Sequence, residues 1–201
     1  VSRLAISQET CYFTNTPRGE KIEKLKEISY ITIFTALALG LGYLFVFIPN
    51  FELISPTIFL AGVLFGTRTG TLVGILTYFI FGLLNPMGMS PLPLLLAQVL
   101  GGTIIGITGG LCYERKWNKA HIILPLGVII TFIYDILTTS AGFVFFPTKE
   151  SFLVYFILGL PFVLLHIFTQ GIVYGLVLTP TIQKIQKRGV NVINNTKHDV
   201  L

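Results

Sequence analysis

The stretch Ile54–Pro86, ISPTIFLAGVLFGTRTGTLVGILTYFIFGLLNP, decides how the chain folds. Pro56–Gly66 is apolar throughout but brief. GTRTG then interrupts, and Thr69–Leu84 resumes as a second apolar run. A helix needs about 20 residues at 1.5 Å each to cross a hydrocarbon core of about 30 Å. Pro56–Gly66 is short for that task, so it is expected to be tilted, broken or shielded by protein. Counting it as a crossing or not sets the direction of every later segment.

Working outward, the chain is apolar over most of its length. Of its 201 residues 53% are hydrophobic and 11% are charged, against about 25% charged in soluble domains. The expectation is an all-α polytopic membrane protein with six transmembrane helices. Span one is Ser29–Ile48, ended by Pro49 and Asn50, and Glu52 stands in the loop that follows. After the two runs already quoted, Asn85–Pro93 (NPMGMSPLP) reads as a Pro/Gly-rich loop. Leu94–Cys112 is span four, the run from Ile122 to Phe146 is span five, and Phe152–Thr179 is span six, with Pro161 as an expected kink. Residues 1–27 read as a cytosolic lead-in. Its Arg18–Glu27 part is either a short amphipathic surface helix, with Ile22, Leu25 and Ile28 as a thin stripe, or a solvated approach. Residues 28–182 form the membrane domain, and 183–201 read as a basic, disordered tail. No signal-peptide pattern precedes Ile28. Cys11 and Cys112 have no metal-ligand or CxxC spacing and are expected to be free thiols.

Basic residues set the orientation. With six crossings, Lys149 is the only one of the fourteen lysines and arginines that falls on the side opposite the termini. The positive-inside rule then puts both termini in the cytosol of a cell-membrane protein. Dropping Pro56–Gly66 as a crossing would strand Arg68 outside and invert the later basic loops.

Small residues recur every four positions. Gly62, Gly66, Gly70 and Gly74 do so across the second and third runs, and Gly102, Gly106 and Gly110 in span four. Such spacing lines one helix face for close backbone approach, here read as internal packing. Span one carries Ala36-x-x-x-Gly40 and Ala38-x-x-x-Gly42, a face open to internal packing or to another subunit.

Asp135, in TFIYDILTTS (Thr131–Ser140), is the chemical anomaly. An unpaired acid in hydrocarbon costs several kcal/mol, which makes it a functional-site candidate. It lies about 13 residues, or roughly 20 Å, into span five, in the outer third. Thr131, Thr138 and Thr139 share its face and Tyr134 flanks it. Gln98 of span four falls at similar depth, with Asn50, Glu52 and Asn85 in the outer loops. These groups are expected to converge on an outward pocket lined by Phe, Tyr and Met, a few polar groups in an apolar cavity being the usual form of a small-molecule site. The competing reading makes Asp135 structural, satisfied by the threonine hydroxyls or by Gln98. His166 shares a face of span six with Thr169, Gln170 and Tyr174. Counting from Phe152 sets it roughly 10 Å deeper than Asp135, which disfavours a direct pair. It is open as a ligand contact or as a packed, hydrogen-bonded histidine. The sole tryptophan, Trp117, lies in a cytosolic loop and cannot stack on a ligand outside. The outer acids Glu52, Asp135 and Glu150, offset by Lys149, favour a neutral or cationic ligand.

Several activities lack their residues. There is no GxxxxGK[ST], no HExxH, no second intramembrane acid beside Asp135 and no Ser elbow with a His, so neither ATP binding by a P-loop nor a hydrolase or other enzyme is expected. No cofactor or metal is expected. The basic residues hug the membrane face and suit lipid headgroups, not nucleic acid.

From about Ile28 to Ile182 the chain resembles the substrate-binding S-components of energy-coupling factor (ECF) transporters. The first helix ITIFTALALGLG and the Ile54–Pro86 block, with its short second helix, Gly-flanked turn and Gly-rich third helix, carry that resemblance. It implies capture of a vitamin or related micronutrient from outside. It further implies docking on a membrane coupling protein that sits on two ABC-type ATPases, whose hydrolysis topples the subunit and releases the ligand inside. The family docks through an Ala-x-x-x-Ala pattern in helix one. Ala36/Gly40 and Ala38/Gly42 are the nearest matches here. By region, Asn50, Glu52, Asn85, Gln98, Asp135 and Thr139 fall where the family binds ligand. The alternative is a self-sufficient secondary transporter or channel with Asp135 as proton or cation site, although no inverted repeat is visible.

Overall fold

The computed structural model describes residues 17–146, 149–185 and 187. Expectations for Cys11, for the rest of the first sixteen residues and for nearly all of the tail lie outside them. Among the described residues there are six helices and no strand. They are α1 (Pro17–Phe45), α2 (Ile54–Phe65), α3 (Thr67–Leu83), α4 (Leu92–Glu114), α5 (Ala120–Phe145) and α6 (Phe152–Ile172). α6 continues through a π-helical turn, Val173–Leu178, to a further helical stretch described as far as Ile185. Four of these helices, α1, α4, α5 and α6, are long and apolar enough to cross a membrane.

The shorter of the remaining two helices, α2, is accounted for by burial. Nine of the twelve residues of α2 are buried, so its ends and flanks meet protein where a longer helix would meet lipid. Gly66, at φ +92, joins α2 to α3 as a single residue in the left-handed region. The interruption read at GTRTG is therefore one glycine, and α3 begins at Thr67, two residues before the expected start.

α4 is the centre of the bundle, packed on α3, α2 and α5, while α1 lies chiefly against α2 and α3. The two glycine ladders explain how closely α4 approaches. A Cβ on Gly62 would stand 2.6 Å from the Gly106 carbonyl oxygen and 2.7 Å from the Gly110 nitrogen. One on Gly70 would stand 2.7 Å from that same Gly106 oxygen, and one on Gly74 would collide with the Gly102 carbonyl. Ladder meets ladder, backbone on backbone, as the four-residue spacing indicated. Gly66 is the exception, being spent on the turn. Below the ladders, Phe59 of α2 meets Tyr174 of the π-helical turn edge-on at 5.3 Å, and Tyr174 lies over Gly127 of α5, where a Cβ would strike its ring.

The helices alternate in direction, and their ties sort the loops to two ends. At one end Arg68, after the α2–α3 turn, pairs with Glu27 of α1 at 3.3 Å. Thr67 donates to Glu114 at the close of α4 (2.7 Å), and Gln183 donates to the Asn118 carbonyl in the α4–α5 loop (3.1 Å). The opposite end carries the α1–α2 loop, the α3–α4 loop and the α5–α6 turn. Among the described residues α1 runs unbroken from Pro17 to Phe45, and Ile22, Leu25 and Ile28 are exposed. Cys112 is free and buried.

Candidate functional site

The site forms at the second end, where the α1–α2 loop folds over α6. Thr169 donates its hydroxyl to the Asn50 carbonyl at 2.6 Å. Gln170, one residue on, donates from Nε2 to the Glu52 carbonyl at 2.9 Å. Two polar side chains of α6 thus hold loop backbone that would otherwise lack partners. Asn50 takes a left-handed conformation, φ 56, which asparagine tolerates better than most residues.

Asp135 of α5 and His166 of α6 meet beneath this loop. His166 Nδ1 donates to Asp135 Oδ1 at 2.7 Å, and both residues are buried. The expected depth difference of roughly 10 Å does not hold. Asp135 stands ten residues before the end of α5 at Phe145, and His166 fourteen residues after the start of α6 at Phe152, a difference of about 6 Å of rise. Side chains lean toward the N-terminus of their own helix. Asp135 therefore leans away from the α5–α6 turn and His166 leans toward it, and the two close the remaining gap. A buried acid beside a histidine also limits the cost of burying the charge.

The histidine continues the network. Its Nε2 is 3.5 Å from Gln170 Nε2 and 4.0 Å from Glu52 Oε1. Glu52 itself turns to α2. Its Oε2 accepts the backbone N–H groups of Ile54 (3.0 Å) and Ser55 (3.1 Å), answering the positive end of that helix.

Two cavities flank the pair and share Asn50 and His166. The first, about 450 Å³, lies between α5 and α6 and is lined by Asp135, Thr139, Tyr155, Phe162 and Val163 among others. The second, about 330 Å³, lies under both loops and is lined by Glu52, Tyr78, Phe81, Asn85, Met87 and Tyr134. Tyr78 is fixed by a 2.8 Å hydrogen bond with Ser55 and by its ring contact with Tyr134 at 5.2 Å.

Seven of the expected residues, Asn50, Glu52, Asn85, Tyr134, Asp135, Thr139 and His166, therefore line one cavity or the other. Gln98 and Thr138 do not. Gln98 Oε1 instead accepts from Ser90 in the α3–α4 loop at 3.1 Å, so matched depth did not make it a neighbour of Asp135. Thr138 donates to the carbonyls of Tyr134 (3.0 Å) and Asp135 (3.2 Å), and Thr131 to that of Gly127 (2.8 Å). These hydroxyls serve the helix backbone and leave the carboxylate to His166. Tyr155, Phe162 and Val163 were not singled out in the sequence. On a helix where nearly every residue is apolar, only their position one to three turns before His166 distinguishes them from lipid-facing neighbours. The small residues of α1 divide. Ala38 is fully buried and a Cβ on Gly42 would fall within 2.8 Å of Ile54, so that pair faces inward. Ala36 and Gly40 are exposed, with nothing within 4 Å of a Cβ on Gly40.

An all-helical membrane protein with polar groups gathered over two cavities, near one end of the bundle, has the form of a small-molecule binding or transport protein. A family model described as "ECF transporter, substrate-specific component" matches residues 26–178. The chain belongs to that family, and so to the substrate-binding subunits of membrane transporters. Comparison with curated proteins and with solved structures gave no match.

Proposed function

We propose that this chain is the binding subunit for uptake of a vitamin or related micronutrient, and that partner ATPases energise it through a membrane coupling protein. All six helices cross the cell membrane with both termini cytosolic. The loop-covered end faces outward, which agrees with the collection of basic residues at the other end. The observation that carries this reading is the roughly 450 Å³ cavity with Asp135 and His166 in its wall. It has the size and lining of a small-molecule site. The ligand contacts are Asn50, Asp135, Thr139 and His166, with Glu52, Asn85 and Tyr134 shaping the adjoining chamber. Docking on the coupling protein uses Ala36 and Gly40, the exposed small pair of α1.

The test is co-purification with a coupling protein and two ATPases expressed in the same cells. The complex is expected to form and to be lost in Gly40→Leu, while the folded chain persists. Ligand accumulation by this chain alone in proteoliposomes under a proton gradient would instead establish a self-sufficient carrier.

A further inference from the structure

The two acids of the site are differently engaged. Glu52 accepts two backbone N–H groups through Oε2, and its Oε1 lies 3.3 Å from Gln170 Nε2. Its charge is answered by the start of α2. Asp135 has one oxygen on His166, while its Oδ2 is buried without a hydrogen-bond partner among the described residues. Asp135 is 8% exposed and lines the larger cavity. A buried carboxylate oxygen without a donor is costly, and a donor arriving there recovers that cost.

The rest of the lining points the same way. Among the described residues, neither cavity is lined by a lysine or an arginine. Among the described residues His166 is the one basic side chain facing them, and its Nδ1 is already committed to Asp135. An anion entering here would meet Asp135 and Glu52 in surroundings where like charges repel strongly, with no lysine or arginine among the described lining residues to receive it. Tyr155 and Phe162 supply flat apolar surface beside the carboxylate.

We propose, resting on the binding-subunit reading, that the ligand is a compact nitrogenous aromatic compound free of phosphate and carboxylate. A protonated or N–H-bearing nitrogen donates to Asp135 Oδ2, and its ring lies against Tyr155 and Phe162. Charge-assisted hydrogen bonds of this kind are the strong ones, so selectivity rests chiefly on Asp135.

Three pyridines of equal size test this on the full chain in nanodiscs at neutral pH. They are 3-(aminomethyl)pyridine, a cation; 3-(hydroxymethyl)pyridine, neutral; and pyridine-3-carboxylate, an anion. Titration calorimetry or ligand-observed NMR is expected to rank the amine at least about tenfold tighter than the carboxylate, with the alcohol between. Asp135→Asn is expected to shrink that ratio to less than about threefold, while Tyr155→Leu weakens all three alike. If Asp135→Asn does not fold, the ranking on the unsubstituted chain decides the charge class by itself. Equal or tighter binding of the carboxylate overturns the proposal, as does binding of none of the three, or an amine preference that survives in a folded Asp135→Asn. An anionic compound co-purifying with the chain would overturn the charge class and leave the binding-subunit reading standing. Accumulation by the chain alone in vesicles would overturn the latter.

Discussion

Gly106→Ala is expected to destabilise the bundle by about 2–3 kcal/mol, although alanine is the better helix former. The added methyl would collide with the Gly70 carbonyl of α3 and stand 2.7 Å from the Thr71 nitrogen. Ordinary contacts between such atoms begin near 3.5 Å, so α3 and α4 must part by about 1 Å. The obstructing atoms are backbone and cannot rotate aside. Overpacking of this kind costs about 1–3 kcal/mol, and a gap of that width forfeits a quarter to a half of each dispersion contact along the seam. Against this, replacing a mid-helix glycine returns about 1 kcal/mol. Gly40→Ala separates the two effects. It gains the same helix propensity with nothing within 4 Å, and is expected to raise stability by up to about 1 kcal/mol. Thermal melting in detergent, followed by size-exclusion recovery, reads both variants against the parent. A Gly106→Ala protein that melts at or above the parent temperature would refute the account of the ladders as backbone-to-backbone packing.

Further perturbations address the site. His166→Ala is expected to cost about 3–5 kcal/mol, since it leaves Asp135 buried without a counter-group; a double-mutant cycle with Asp135→Asn should return a coupling of at least about 1.5 kcal/mol, and a value near zero would contradict the 2.7 Å pair. Gln98→Leu should leave affinity for 3-(aminomethyl)pyridine within about twofold, because Gln98 is turned to Ser90; a tenfold loss in calorimetry would return it to the site. Thr169→Val should speed amide exchange across residues 46–53 by roughly tenfold while α3 and α4 are unchanged, about 1.4 kcal/mol of local opening.

Much of the architecture is legible in the sequence because its signals are periodic and strong. Twenty-residue apolar runs announce long helices, and glycines at every fourth position announce a helix face that meets backbone. The shortness of α2 is also readable as a need for shielding. The site is less legible. Asp135 stands out as an acid in hydrocarbon, but its partner does not. Counting residues from uncertain helix ends gives depth to within a turn or two, and it neglects the lean of side chains, which here brings Asp135 and His166 together. Equal depth likewise says nothing about azimuth, so Gln98, level with Asp135, turns instead to the α3–α4 loop. Glu52 was expected at the site and lines the second cavity, but its use as a cap for α2 depends on where α2 begins, and Pro56 hides that start. Tyr155 and Phe162 carry no mark in a helix where nearly every residue is apolar.

The way α6 grips the α1–α2 loop bears on how this scaffold changes its ligand over evolutionary time. Thr169 and Gln170 take the carbonyl oxygens of Asn50 and Glu52, and every amino acid brings a carbonyl. The grip is thus indifferent to the identity of the residue held. Position 50 faces both cavities, so its side chain can be exchanged without loosening the loop. Its left-handed backbone confines the exchange mainly to asparagine, aspartate and glycine. Those three offer an amide, a negative charge or empty space at one place. With the cavities as the proposed ligand site, selection could thereby revise what the pocket accepts in a single step while the loop that closes over it remains anchored.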